Sequence, residues 1–205
     1  MPSIETDLPV RVSPLLPIDG DYIVEYKNVS LKQRKALSAV QVLSFKGKYE
    51  DAAAAIGKAV GVECPVSPGI CHANDHTQVL WNGPNTWMII ASDTESGRAY
   101  GELLALLQKA VGNLAAVVDQ SHGRCCLRLS GARARQVMAK NTAIDLHPRA
   151  FEPGRCALTS VAHMNATLVQ VDDTPTYDLI VARSLARSFV HAIEQACAEF
   201  EDEQD

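Results

Sequence analysis

Residues 117–131, V-V-D-Q-S-H-G-R-C-C-L-R-L-S-G, constrain this chain more than any other stretch. Ala115–Val118 is continuously apolar and reads as a buried strand. The run 124–129 alternates instead. Cys125, Leu127 and Leu129 point one way, and Arg124, Cys126 and Arg128 the other. That pattern predicts a half-buried strand with a basic outer face. Between the two runs lies a tight polar turn, Gln120-Ser121-His122-Gly123. Ser130 then stands where a helix N-cap belongs, ahead of a helix over 132–140. An echo of this stretch runs over 144–156, I-D-L-H-P-R-A-F-E-P-G-R-C. Paired strands leading straight into a helix point to an α+β fold.

The flanking segments extend the pattern. Residues 38–46 alternate as a strand that Gly47 closes. Glu50 and Asp51 favour a helix start electrostatically, and Ala52–Val60 are strong helix formers ending at Gly61. Residues 62–75 read as loop. The runs 77–81 and 86–91 flank Asn82-Gly83-Pro84-Asn85, a hairpin signal, with Trp81 and Trp87 as packing residues. Residues 92–97 read as a polar loop. Leu103, Leu104, Leu107 and Val111 then share one face of a helix over 98–111. The order strand, helix, strand, strand, helix, strand across 37–120 is that of a ferredoxin-like split βαβ layer. The second half, 121–198, partly repeats it. A strand over 124–129 and a helix over 132–140 precede an irregular 141–155. A strand over 156–163, a hairpin of 166–171 with 176–181, and a helix capped by Ser184 follow. Two ferredoxin-like layers are the expected architecture. Residues 1–36, broken by Pro2, Pro9, Pro14 and Pro17, read as an extended arm, either mobile or docked along a neighbouring subunit. Residues 199–205 are acidic at a helix C-terminus, where the dipole opposes them, and are expected to fray.

Charge and cysteine usage narrow the function. A net charge of −5 argues against a general nucleic-acid binder. No apolar run approaches the roughly 20 residues that cross a bilayer, and the acidic N-terminus lacks a signal pattern, so a cytoplasmic protein is expected. The six cysteines, Cys64, Cys71, Cys125, Cys126, Cys156 and Cys197, then read as reduced thiols. Cys64, Cys71, His72 and His76 match no standard zinc spacing, and a loop with small buried thiols is the expectation there. No phosphate loop, G-x-G-x-x-G, H-E-x-x-H or G-x-S-x-G is present. Asp119, Ser121 and His122 sit within one turn, which is poor geometry for a Ser-His-Asp relay. Their expected role is turn chemistry, with Asp119 and Ser121 accepting backbone N–H groups. Cys125 and Cys126 lie in a strand, away from any helix N-terminus that would stabilise a thiolate. Eight arginines follow residue 120. Arginine suits interface ion pairs, and such a set fits a partner surface, solvated faces or an anionic small-molecule site.

Four strings in order resemble one family: D-Q-S-H-G-R (119–124), L-R-L-S-G-x-x-A-R (127–135), I-D-L-H-P-R-A-F-x-P-G-R-C (144–156) and P-T-Y-D-L-I-V-x-R-S-x-A-R-S-F (175–189). Together they resemble the gamma subunit of heterotetrameric sarcosine oxidase, over residues 80–198. The resemblance implies a fold related to the folate-binding domain of the glycine-cleavage aminomethyltransferases. It implies a complex that oxidatively demethylates sarcosine to glycine with hydrogen peroxide and, with tetrahydrofolate, methylenetetrahydrofolate. The implied cofactors, FAD, covalent FMN, NAD and zinc, reside in the alpha, beta and delta partner subunits, with none in this chain and with no catalytic residue of its own. Chiefly the large alpha subunit is the expected partner. His122, Arg124, Arg128, His147, Arg149, Arg155, Arg183 and Arg187 are the contact candidates. Asn141-Thr142-Ala143 departs from the Gly-Cys-Pro-like step usual in the family before D-L-H-P, so no thiol is needed there. The rival is a folate-like small-molecule binder of the same fold acting outside such a complex.

Overall fold

The computed structural model describes residues 12–15 and 22–201. Eleven strands and five α-helices follow in order: β1 Tyr22–Tyr26, β2 Val29–Gln33, β3 Leu37–Ser44, α1 Tyr49–Val60, β4 Cys71–Ala73, β5 Thr77–Trp81, β6 Thr86–Ser92, α2 Asp93–Ser96, α3 Glu102–Val111, β7 Ala115–Asp119, β8 Arg124–Ser130, α4 Ala134–Asn141, β9 Cys156–Val161, β10 Met164–Asp172, β11 Thr176–Ala182 and α5 Ala186–Cys197. Short 3₁₀ turns flank α5. The strands form a five-stranded sheet, β4-β5-β6-β3-β7, and a six-stranded sheet, β1-β2-β8-β11-β10-β9. All pairings are antiparallel.

Three apolar layers account for the stacking. Val40, Val42 and Ile89 of the five-stranded sheet bury against Ile56 of α1 and Leu103 and Leu107 of α3. Leu127, Leu129 and Leu179 of the other sheet bury against Val137 and Met138 of α4 and Phe189 and Ile193 of α5. Between the two sheets lies a smaller cluster, Ala39, Cys71, Leu80, Met88, Ile90, Cys126, Cys156, Val169 and Ile180. The order is therefore helices, sheet, sheet, helices. Period-2 alternation explains why each strand serves two cores. In β8, Cys125, Leu127 and Leu129 face the helices and Cys126 faces the opposite sheet. The expected basic outer face of that strand is thus an interior face.

The two halves share one plan. In the first, β7, β3, β6 and β5 take the ferredoxin-like sheet order, and β4 is added at the edge. In the second, β8, β11 and β10 repeat the order of β3, β6 and β5, with β9 at the edge. The place beside β8 that corresponds to β7 is filled by β2, from the N-terminal segment. Residues 22–33 are therefore not an extended arm. They form a hairpin that completes the second sheet, with Val29 and Leu31 sealed in its core. Among the described residues the chain continues after α5 as a 3₁₀ turn, and the edge of β8 is paired instead by Val29–Gln33. Residues 34–36 form the crossover to β3, and the rest of the expected arm, 1–11 and 16–21, lies outside the described residues.

Other boundaries shift for local reasons. Ser130 does not cap a helix: it ends β8, where its hydroxyl lies 2.9 Å from that of Ser30 across the ladder. Gly131 follows with φ 113°, and an added Cβ there would run into the Asn28 backbone. Ser184 likewise makes no cap; it sits in the 3₁₀ turn Arg183–Leu185. Residues 92–97 hold the one-turn α2, whose Ser92 hydroxyl accepts the Glu95 N–H. The tail does not fray at once. Phe200 is buried, with the Arg133 guanidinium and the Lys140 ammonium over its ring, and Lys140 pairs with Glu199. Residues 202–205 lie outside the described set.

The edges of the two sheets meet at a repeated tetrapeptide, Pro68-Gly69-Ile70-Cys71 and Pro153-Gly154-Arg155-Cys156. Ile70 and Arg155 bridge antiparallel, Cys71 N–H donates to Gly154 O at 2.8 Å, and Cys156 N–H donates to Gly69 O at 2.9 Å. Both glycines have positive φ, 74° and 84°. An added Cβ at either would sit 3.3–3.4 Å from the other segment's cysteine carbonyl. The placement of β2 gives an expected outcome. Leu31→Ala removes a fully buried side chain and lowers the unfolding free energy by about 2–5 kcal/mol in urea titration. An unchanged midpoint would mean that the hairpin is peripheral.

Candidate functional site

Among the described residues, the charged side chain that is buried is that of Asp178, in the apolar run Tyr177–Ala182 of β11 and 0% exposed. Burial of a carboxylate demands partners. Arg128, on the neighbouring strand at the Asp178 register position, donates from Nε to Oδ1 at 2.7 Å and from its terminal nitrogen to Oδ2 at 2.9 Å. Arg34, in the segment that passes from β2 to β3, donates to Oδ2 at 2.7 Å. Gln78 of β5 donates to the same oxygen at 2.9 Å and accepts from Arg34 at 3.2 Å. The Asp178 hydrogen bonds raise the Arg128 pKa against the opposing effect of burial. One carboxylate thus joins both sheets and the crossover between them. Arg128, a contact candidate, has its guanidinium turned into the protein; the physical reason is the buried charge beside it. Neither Arg34 nor Asp178 stood out in the sequence. The signal was there: an aspartate inside a strand that is otherwise apolar has to meet a cation.

The turn at 119–124 is built as turn chemistry. Asp119 accepts the Ser121 N–H at 2.8 Å and the Tyr100 hydroxyl at 3.0 Å. Burial raises its pKa, but the hydrogen bonds from Ser121 and Tyr100 and the nearby His122 outweigh that, and it lies below its ordinary value. The Ser121 hydroxyl accepts the Ala39 N–H at 3.0 Å and donates to the Ala39 carbonyl at 3.4 Å, so it is tied to β3 rather than to the imidazole. The His122 ring stands edge-on to Tyr100, centroids 5.2 Å apart, and its Nε2 is buried without a hydrogen-bond partner. No relay forms from this trio. The second turn repeats the device: Asp145 accepts the His147 N–H at 2.9 Å, and His147 Nδ1 accepts the Arg149 N–H at 3.2 Å.

The eight candidates separate into groups. Arg124 and Arg183 come together, because Arg124 pairs with Ala182 in the ladder and the Arg183 N–H donates to Gly123 O at 2.9 Å. Arg187 is nearby and donates to the Pro14 carbonyl at 3.4 Å. His147 and Arg149 sit in the exposed second turn. Arg155 belongs to the bridge between the sheet edges, with its Nε buried. Arg128 is held by Asp178.

All six cysteines are buried and free. Burial pushes Cys64, Cys71 and Cys126 up to about 12, and Cys125, Cys156 and Cys197 up to about 11. Cys64 packs under α1, whereas Cys71 packs between the sheets, so the two do not share a site. His72 Nδ1 lies 3.0 Å from Glu63 O. Among the described residues no three His, Cys, Asp or Glu gather in a metal-binding group. No helix among them is long and apolar enough to cross a membrane.

Two split βαβ layers packed sheet to sheet, with helices outside, define an α+β fold that is also found in the glycine cleavage system aminomethyltransferase T from Bartonella henselae. The two superpose with a TM-score of 0.56 at 13% identity, over 82% of this chain and 46% of that one. Within that fold the chain belongs to the sarcosine oxidase gamma subunit family, whose family model matches residues 47–199. The sarcosine oxidase subunit gamma of Corynebacterium sp. (strain P-1) is 33% identical over 151 residues, 73% of this chain and 71% of that protein. A chain of the heterotetrameric sarcosine oxidase from Corynebacterium sp. U-96, solved in complex with pyrrole 2-carboxylate, matches with a TM-score of 0.77 at 27% identity. That match covers 90% of this chain and 91% of the other.

The Asp178 cluster makes a sharp prediction. Asp178→Ala leaves two guanidinium groups facing each other without an anion and costs about 3–5 kcal/mol of stability, read by chemical denaturation. A loss below about 1 kcal/mol would show that the cluster is not what joins the sheets.

Proposed function

We propose that this chain is the small structural subunit of a sarcosine oxidase complex, and that catalysis takes place in its partners. The complex would oxidatively demethylate sarcosine to glycine with hydrogen peroxide and, with tetrahydrofolate, methylenetetrahydrofolate. Alpha, beta and delta subunits would be the partners and would carry FAD, covalent FMN, NAD and zinc. Family membership supports this reading, as does the heterotetrameric assembly of the Corynebacterium relative. The six thiols are buried and protonated at neutral pH, and Ser121 is tied to β3, so these groups favour a structural role.

One observation carries the assembly claim. Leu80, Met88, Gln41 and Val118 form a row across the inner face of the five-stranded sheet. Leu80 and Met88 are 0% and 3% exposed, whereas Val118, at the edge strand, is 42% exposed. The six-stranded sheet therefore stops short of β7. In the uncovered part, Leu43, paired with Ala116, is 36% exposed, and Phe45, whose N–H donates to Leu114 O, is 50% exposed. Grouped apolar side chains of this kind mark a protein-contact surface rather than scattered exposure. Its place on the paired sheet edge leaves Ala115–Asp119 accessible on one side. The contact candidates His147 and Arg149, in their exposed turn, would add charged rim contacts.

The test is co-expression of the chain with the partner subunits. Phe45→Glu with Val118→Glu, both at exposed positions, is expected to keep the isolated chain folded by circular dichroism and to abolish co-purification. Retained co-purification of that variant would place the interface elsewhere.

A further inference from the structure

A cleft of about 380 Å³ opens between the sheets where the 34–36 crossover passes from one to the other. Its apolar wall is Leu37, Ala39, Ile90 and Ile180, which continue the core between the sheets. Its polar lining includes Lys35, Ser121, Arg124 and Arg183, and no carboxylate appears among the described lining residues. Arg34 also lines it, but its guanidinium is directed at Asp178.

Arg124 and Arg183 are the unusual pair. Arg124 opens β8 opposite Ala182, and Arg183 follows β11 in the 3₁₀ turn, where its backbone N–H bonds Gly123 O and holds the two arginines at the same end of the sheet. Neither has a side-chain ion pair with any described residue, although Asp178 further along the same ladder draws in two arginines. The Arg124 Nε is sealed from solvent with no hydrogen-bond partner. Two cations that line one cleft without a counter-ion repel each other, and an unsatisfied buried donor adds to that cost. Local departures of this sort concentrate at binding sites, where a ligand supplies what the fold omits.

We infer that this cleft binds a small organic carboxylate, the carboxylate held between the Arg124 and Arg183 guanidiniums and the apolar body lying on Leu37, Ile90 and Ile180. A planar guanidinium matches a carboxylate with two parallel hydrogen bonds, and two guanidiniums line this cleft. The volume falls within the range of small-molecule pockets, and apolar walls with a few convergent polar groups are their usual composition. A second cleft, along the crossover on the far side of Arg34, mixes Asp75 and Glu95 with Lys32 and His76 and lacks this one-signed character. The inference does not depend on membership of a complex, since every residue belongs to this chain.

The experiment uses the full chain and benzoate, with benzamide as its uncharged isostere and inorganic phosphate as an anion without an apolar body. Binding is followed by chemical-shift changes and thermal stabilisation. Saturable binding of benzoate is expected, at least tenfold tighter than benzamide or phosphate, and weakened at least tenfold in both Arg124→Gln and Arg183→Gln. Leu37→Asn, a neutral polar change in the apolar wall, is expected to weaken benzoate but not phosphate, which keeps the test decisive if an arginine variant fails to fold. Equal binding of benzoate and benzamide, equal binding of benzoate and phosphate, or no saturable benzoate binding would each overturn the inference.

Discussion

The carboxylate of Asp178 is the point on which the two sheets are aligned. It sits fully buried in β11, and its partners come from three places: Arg128 next to it in the same sheet, Gln78 in the opposite sheet and Arg34 in the crossover. Apolar contact between flat sheets is non-directional and tolerates sliding, but a charge with four short hydrogen bonds tolerates very little. The cluster between the sheets holds small and medium side chains, such as Ala39, Cys71 and Cys126, so the hydrophobic layer alone specifies register weakly. The directional bonds supply what that layer lacks. They also explain why the N-terminal hairpin cannot be a loose appendage. Arg34 immediately follows β2 and is bound at one end of the cluster.

The same alignment produces the features that bear on function. With the sheets held in this register, the six-stranded sheet covers β5 and β6 but leaves part of β3 and β7 open, which exposes Leu43, Phe45 and Val118. At the opposite end of β3, the crossover spans a gap, and Arg124 and Arg183 line it. The bridge at Ile70 and Arg155 closes a third boundary, at the outer edges. An exposed apolar face and a cationic cleft are therefore consequences of one packing offset rather than separate devices.

Much of this was legible in the residues, and the failures have identifiable causes. The hairpin at Asn82–Asn85, the helix ending at left-handed Gly61 and the Leu103, Leu107, Val111 face all appear where local pattern places them, because each is fixed by short-range physics. The buried Trp87, donating to Pro65 O at 2.7 Å and stacked on Tyr49, is a packing residue as its place beside a hairpin suggested. Long-range pairing was not legible. Val29–Gln33 alternates, but only the vacant edge of β8, a hundred residues away in sequence, makes it a strand of that sheet. Arg128 looked exposed because alternation distinguishes two faces without saying what covers the second. The 144–156 segment does echo 117–131 in its Asp-based turn, yet its deeper counterpart is Pro68–Cys71, visible only when the two sheet edges are brought together. The family strings include Asp178 without marking it, and its role and that of Arg34 required the topology.

The central claim is that the buried carboxylate makes the two sheets one cooperative unit. Native-state hydrogen exchange tests it most directly. In the unaltered chain, the slowest amides of β6 and of β11 are expected to share one opening free energy equal to that of global unfolding. In Asp178→Asn they are expected to part, with one sheet opening well below the other. Separate opening energies for the two sheets in the unaltered chain, or unchanged coupling in the variant, would contradict it.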